Sequence, residues 1–228
     1  MASRLFKTIL AIALAAVIAL VALYAVKIVA IPPAGFFPPS FVTHSVMLVL
    51  SIAAMWLLSM GRLERYGLSK ATYKFNPRIL AWVLPTAVLA IISAFASPAG
   101  QGTDVSGDLT KPQIIVFVWI YASICEEFLT RGLLQTLLAG NSQGKIPAPH
   151  GLSMPVLVSG LFFGCMHIVL VQSMGPSAIP VILLAVFLGL IAARYREKTG
   201  SLLPAIITHA LFNIGGTLPL WIIQWLHS

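Results

Sequence analysis

The chain has 228 residues, of which 59% are hydrophobic and only 9% are charged, and its mean hydropathy is +0.97. Soluble domains carry about a quarter charged residues, so a water-soluble fold of this size could not bury so much apolar surface. The formal net charge is +8, but the basic residues stand in short segments between apolar spans and form no patch, which argues against nucleic-acid binding. The composition therefore predicts an integral membrane protein.

Long apolar runs divide the chain into candidate membrane spans, since a helix needs about 20 apolar residues to cross the bilayer core. The runs are roughly 6–31, 41–60, 79–96, 113–139, 154–173, 177–193 and 201–226. The first run is longer than the apolar region of a secretory signal, about 7–15 residues, and is expected to stay in the protein. Gly215, Gly216 and Pro219 interrupt the last run, which fits one long helix or two short ones. The prediction is an all-α transmembrane bundle of seven or eight helices in a single membrane domain, 1–228.

Charges in the connecting segments predict the orientation. Residues 61–78 set five bases against the single acid Glu64, and these bases are Arg62, Arg65, Lys70, Lys74 and Arg78. Residues 194–198 are also basic, and placing both segments in the cytoplasm leaves only Lys27 and Lys111 outside; Arg4, Lys7 and Lys145 then lie inside. The outer segment 97–112 would carry Asp104 and Asp108. The positive-inside rule therefore predicts a cytoplasmic N-terminus.

Polar side chains within the spans concentrate in the second half of the chain. In order, they are Glu126, Glu127, Arg131, His167, His209 and Asn213. A charged group inside a span costs at least about 2.5–3.5 kcal/mol, so these groups must face one another or a water-filled cavity. At 1.5 Å per residue they lie at similar depths, which predicts one shared site. His44, in the second span, is interpreted as a satisfied histidine near the outer interface and is given no role.

The two adjacent acids are expected to differ. Glu127 and Arg131 are four residues apart with the acid first, the favourable order for an ion pair on a helix. Glu126 points about 100° away from Glu127 and has no basic residue on its own face of the helix. It is predicted to be buried and unpaired, which suits a base that activates water.

The later spans contribute imidazoles. Gly160, Gly164 and His167 share one helical face, and the two glycines permit close helix contact, so His167 is expected to point into the bundle. His209 and Asn213 are likewise four residues apart, and both can donate hydrogen bonds as an oxyanion site requires.

Together, the motifs EExxxR (126–131), FxxxH (163–167) and HxxxN (209–213) resemble the CAAX-protease and bacteriocin-processing (CPBP) family. That family includes the CAAX prenyl endopeptidases and the abortive-infection-type proteins. The resemblance covers about 113–215 and implies peptide-bond hydrolysis inside the membrane. It implies that Glu126 and His167 hold and deprotonate water and that His209 and Asn213 stabilise the oxyanion, while Glu127, Arg131 and Phe163 support the site. It also implies a catalytic core in 113–228 and three accessory helices in 1–112.

Cofactor and substrate follow from the same resemblance. Glu126, His167 and His209 are zinc ligands by residue type. They come from three spans and lack the HExxH spacing, so we expect no obligatory metal, with Zn²⁺ as the alternative. The expected partners are the lipid bilayer and a protein or peptide substrate, such as a leader, a membrane anchor or a bacteriocin-like precursor. The compact chain suggests a bacterial inner membrane.

Three other functions fit parts of the pattern. A proton-coupled transporter would also use intramembrane acids and histidines, but transporters often show paired halves, whereas these polar residues fall in the second half. A thiol-dependent transpeptidase would use Cys125 or Cys165, although Cys125 adjoins two acids rather than the positive charge that favours a thiolate. A non-catalytic immunity or scaffold protein would share the fold, but it would not need all six of the polar residues found within the spans.

Overall fold

The described residues form a bundle built almost entirely of helices. In this computed structural model they are residues 2–29, 31, 35–68, 77–96, 109–141 and 152–226. The α-helices are α1 (Ala2–Ala25), α2 (Pro39–Ser59), α3 (Val83–Ala96), α4 (Lys111–Gln113), α5 (Ser123–Glu127), α6 (Gln135–Asn141), α7 (Met154–Met166), α8 (Val171–Met174), α9 (Ala178–Thr199) and α10 (Leu203–Leu226). Short 3₁₀ helices cover Leu63–Tyr66, Pro77–Trp82, His167–Leu170 and Gly175–Ser177. Two π-helical segments, Ile114–Ala122 and Phe128–Leu134, join α4, α5 and α6 into one long helix over 111–141.

The prediction of an all-α polytopic membrane protein is confirmed. Within the described residues, five helical stretches are long and apolar enough to cross a membrane: Leu5–Ala25, Pro39–Ser59, Lys111–Gly140, Met154–Thr199 and Leu203–Ile223. The stretch Met154–Thr199 spans 46 residues and contains both the fifth and the sixth predicted spans. The third predicted span corresponds to a shorter apolar helix, Pro77–Ile92, whose first turns are 3₁₀-helical.

The last predicted span is one helix and not two, because α10 continues through Gly215, Gly216 and Pro219. Gly215 serves as a contact with α3, since a Cβ there would collide with Thr86 and with the carbonyl oxygen of Val83. Proline inside a membrane helix is tolerated where neighbouring groups satisfy the freed backbone.

Helices α7 and α9 pack against each other in antiparallel directions. Gly160 lies beside Leu190 and Gly164 lies beside Val186, so one helix runs up as the other runs down. A Cβ on Gly189 would lie 2.6 Å from the carbonyl oxygen of Gly160, which leaves no room for a side chain at that point. Small residues let membrane helices approach closely, and here they hold the end of α7 in place.

The buried apolar residues form two clusters with the polar site between them. The first cluster joins α1, α2 and the long helix through Ala11, Ala15, Met47, Met55, Leu129 and Leu133. The second joins α7, α9 and α10 through Phe163, Ala185, Leu188, Ala192, Ala205 and Phe212. Of the charges used to predict orientation, Lys70, Lys74, Asp104, Asp108 and Lys145 fall outside the described residues, so the orientation stays a prediction.

Candidate functional site

The two adjacent acids lie at the centre of the long helix, on the short α5 between the two π-helical segments. Departures of this kind from α-helical winding are rare and often coincide with functional sites. Glu127 is fully buried, whereas the Glu126 side chain keeps 14% of its surface exposed. The two carboxylates therefore point to different surroundings, as predicted from their positions on the helix.

Glu127 forms the predicted ion pair with Arg131, and the two side chains are both fully buried. Nη1 of Arg131 donates to Oε1 of Glu127 at 2.8 Å and to the hydroxyl of Thr130 at 2.6 Å. Nη2 donates to the carbonyl oxygen of Gly189 on α9 at 2.8 Å. The guanidinium also lies over the Phe163 ring, 4.7 Å from its centroid. Arg131 thus connects the long helix with α7 and α9.

His209 of α10 lies between the two acids. Its Nδ1 is 3.0 Å from Oε1 of Glu127, and its Nε2 is 3.7 Å from Oε2 of Glu126. Because an ionised carboxylate only accepts hydrogen bonds, Nδ1 carries the hydrogen that reaches Glu127. Nε2 is then the ring nitrogen that faces Glu126. The Phe163 ring packs against this imidazole nearly at right angles, with 5.2 Å between the ring centroids.

His167 follows the last turn of α7, where the glycine contacts with α9 hold the helix. Its Nδ1 donates to the carbonyl oxygen of Phe163 at 2.9 Å, and its ring packs 4.8 Å from the Phe163 ring. The imidazole also interacts electrostatically with the Glu126 carboxylate. As in His209, the bond at Nδ1 leaves Nε2 as the nitrogen for other partners.

Glu126 is not unpaired, so that part of the prediction is wrong. Nε2 of His44, on α2, lies 3.1 Å from Oε1 of Glu126. Helical periodicity identifies possible partners only on the same face of the long helix, whereas His44 is 82 positions away in the chain. A signal was nevertheless present: His44 shares a stripe of α2 with Met47, Ser51 and Met55, which are buried.

Asn213 lies one turn beyond His209 and binds the long helix. Its amide nitrogen donates to the carbonyl oxygen of Val118 at 2.9 Å and to the hydroxyl of Ser123 at 3.1 Å. To donate to an oxyanion, the amide would have to give up one of these bonds. Its predicted role in stabilising an oxyanion stays a prediction.

The expectation of no obligatory metal stays a prediction for the three candidate zinc ligands. Within the described ranges, no group of three or more His, Cys, Asp or Glu residues could hold a metal ion. Nδ1 of His209 and Nδ1 of His167 are both engaged by protein acceptors, and Oε1 of Glu126 faces His44. The atoms left for other partners are therefore the two Nε2 atoms and Oε2 of Glu126. The two cysteines differ in surroundings, since Cys125 is buried and Cys165 is exposed.

Comparison with known proteins gives one match, over the part of the chain that carries all the motifs. Residues 109–215 match the family model described as "Type II CAAX prenyl endopeptidase Rce1-like". The matched range begins just before the long helix and ends within α10, so it includes Glu126, His167 and His209 but not His44. No curated protein and no solved structure matches the chain.

Proposed function

We propose that the chain is an intramembrane endopeptidase of the Rce1-like CAAX prenyl endopeptidase family, whose model matches residues 109–215, and that it uses Glu126 to activate water. The substrate is a membrane-associated protein or peptide. The multi-pass helical bundle suits such a substrate, because the reacting groups lie between helices that are apolar enough to cross a membrane.

The observation that carries this proposal is the separation between Oε2 of Glu126 and Nε2 of His209. At 3.7 Å it is too long for a direct hydrogen bond. It allows one water molecule to contact both atoms at about 2.8 Å each. The carboxylate keeps some exposure, 14% of its side chain, so water can reach it. A base, a donor and a water position therefore meet at one point, which is the arrangement that peptide hydrolysis needs.

The reaction follows from these positions. Oε2 of Glu126 takes a proton from water as the water oxygen bonds to the peptide carbonyl carbon, and the carbonyl oxygen becomes an oxyanion. Protonated His209 donates from Nε2 to that oxyanion, while Glu127 accepts from Nδ1 and stabilises the positive imidazole. Glu126 then gives its proton to the peptide nitrogen as the C–N bond breaks, releasing an acid and an amine.

The remaining residues have supporting or secondary roles. His167 helps hold the attacking water through Nε2, because its Nδ1 is committed to Phe163. Arg131 holds Glu127 in place through their buried ion pair. Asn213 ties α10 to the long helix and so fixes the position of His209 one turn earlier; it is also the second candidate donor to the oxyanion.

The proposal includes the substrate classes and the membrane location that the sequence predicts. The substrate would be a leader peptide, a C-terminal membrane anchor or a bacteriocin-like precursor, and the membrane would be a bacterial inner membrane with the N-terminus of the chain in the cytoplasm. The family match over 109–215 supports a protein or peptide substrate of the CAAX-protease type.

The test compares peptide termini in cells that carry the native protein or Glu126→Gln. Glutamine preserves the size of the side chain but cannot take a proton from water. Glu64→Gln is the matched control, because it removes an exposed carboxylate from the 3₁₀ helix Leu63–Tyr66, outside the candidate spans. We expect specific termini to disappear in Glu126→Gln and to persist in Glu64→Gln, with equal amounts of inserted protein. Termini that persist undiminished in Glu126→Gln would refute the role of Glu126.

A further inference from the structure

His44 is a polar contact of Glu126 that the three motifs do not contain. It lies in the second turn of α2, well outside the range that matches the family. Its Nε2 is 3.1 Å from Oε1 of Glu126, and the two side chains are similarly enclosed, with 15% and 14% of their surface exposed. A helix predicted to be accessory therefore supplies a direct neighbour of the proposed base.

The acceptors beside His44 determine which of its ring nitrogens carry hydrogens. Nδ1 of His44 lies 2.7 Å from the carbonyl oxygen of Ser40, which can only accept, so Nδ1 carries a hydrogen. The ionised carboxylate of Glu126 also only accepts, so Nε2 must carry the hydrogen that lies between them. His44 thus engages Oε1 as a charged donor and leaves Oε2 facing His209.

A second contact beside this pair holds α2 against the long helix. The Ser45 hydroxyl donates to the carbonyl oxygen of Phe41 at 2.7 Å, and the Tyr121 hydroxyl lies 2.9 Å from the same Ser45 oxygen. The Tyr121 ring also lies beside the His44 imidazole, with 6.5 Å between the ring centroids and 67° between the ring planes. Because Tyr121 stands five residues before Glu126 on the same helix, this contact keeps His44 in register with the carboxylate.

We propose that His44 is a positioning residue for the hydrolysis: it holds Oε1 of Glu126 so that Oε2 is directed at the water beside His209. The inference rests on the proposed function, and it makes α2 part of the site. Without His44 the glutamate side chain loses the one hydrogen-bond partner that it has among the described residues and can turn about its own torsions. A displacement of about 1 Å of a reacting group can lower a rate about 10²-fold.

Three substitutions separate this role from simple packing. His44→Gln carries an amide nitrogen at about the reach of Nε2 and can donate to Oε1. His44→Asn is shorter and places its amide nearer the position of Nδ1. His44→Leu fills similar space with no donor. Thr43→Ala, the adjacent residue on α2, is the control.

The measurement is the rate at which new peptide termini appear in washed membranes that contain equal amounts of each variant. Only termini that are absent with Glu126→Gln are counted. We expect His44→Leu and His44→Asn to lower the rate about 10²-fold, His44→Gln to recover to within about tenfold of the native protein, and Thr43→Ala to match it. If His44 served only for packing, the position of the amide donor would not matter, and the glutamine variant would show no such advantage in rate over the asparagine variant.

A stability cycle tests the contact without relying on activity. The midpoint of thermal unfolding in detergent is measured for His44→Leu, Glu126→Gln and the double variant, and we expect shifts that are not additive, because each single change removes the same interaction.

The outcomes are distinguishable. If native and Glu126→Gln membranes yield the same termini, the proposed function fails. If the native protein cleaves but His44→Leu cleaves equally fast, or His44→Gln recovers no activity, or the unfolding shifts add, the positioning role of His44 is wrong and the proposed function stands.

Discussion

Replacing Arg131 by methionine removes the partner of a fully buried carboxylate, and we expect it to destabilise the protein by about 3–5 kcal/mol. Oε1 of Glu127 accepts from Arg131 at 2.8 Å and from His209 at 3.0 Å, so the variant leaves a charge held by one neighbour. The substitution also removes the bonds from Arg131 to Thr130 and to the Gly189 carbonyl. The loss should therefore fall in the upper part of that range.

The double variant Glu127→Leu with Arg131→Met separates stability from activity. Replacing both members of a buried ion pair by apolar residues is often neutral or stabilising, so the double variant should be more stable than Arg131→Met. The recovery should be incomplete, because the double variant still lacks the bond from Arg131 to the Gly189 carbonyl and leaves Nδ1 of His209 without its acceptor. Activity should not return, because Nδ1 of His209 loses the carboxylate that accepts its hydrogen. Loss of a carboxylate that holds a catalytic imidazole lowers rates by up to about 10⁴-fold, and we expect at least about 10²-fold here.

Chemical unfolding in detergent micelles, followed by tryptophan fluorescence, measures the stability changes, and the terminal-peptide assay measures activity. Arg194→Met is the matched control, since Arg194 forms a partly exposed pair with Glu197. Exposed pairs contribute about 0–1 kcal/mol, so this variant should unfold almost like the native protein. The reasoning is refuted if Arg131→Met is as stable as Arg194→Met, or if the double variant is no more stable than the single one.

Two further predictions concern helix packing and metal dependence. Gly189→Ala places a Cβ 2.6 Å from the Gly160 carbonyl oxygen and should push α7 away from α9, which lowers the free energy of unfolding by about 1–3 kcal/mol and lowers activity. Gly140→Ala is the control, since its Cβ meets no atom within 4 Å, and it should stabilise the protein by up to about 1 kcal/mol. Equal stability of the two variants would contradict the packing argument. Treating purified protein with a zinc chelator should leave peptide cleavage within about twofold of the untreated rate, because the proposed reaction activates water with Glu126 and His209 and needs no metal ion. Activity that is lost on chelation and regained with added Zn²⁺ would contradict this prediction.

The parts of the site that depend on short spacings were predictable from the chain. Glu127 and Arg131 are four residues apart on one helix, and their ion pair is as expected. The glycines of α7 were expected to allow close packing, and they contact α9. Helical periodicity determines such relations locally, so they do not depend on how the helices are arranged.

The length and apolar character of the spans determined a helical membrane bundle, and the acids and imidazoles within those spans predicted one shared site. Only the tertiary structure decided that His44 contacts Glu126, because the packing of α2 against the long helix brings together two residues that are 82 positions apart. It also decided that Gly215 is a helix contact within one continuous α10, and that the amide of Asn213 binds Val118 and Ser123. The hydropathy of a span determines whether that span lies in the membrane. Which residue contacts a polar side chain depends on which faces of the helices pack together.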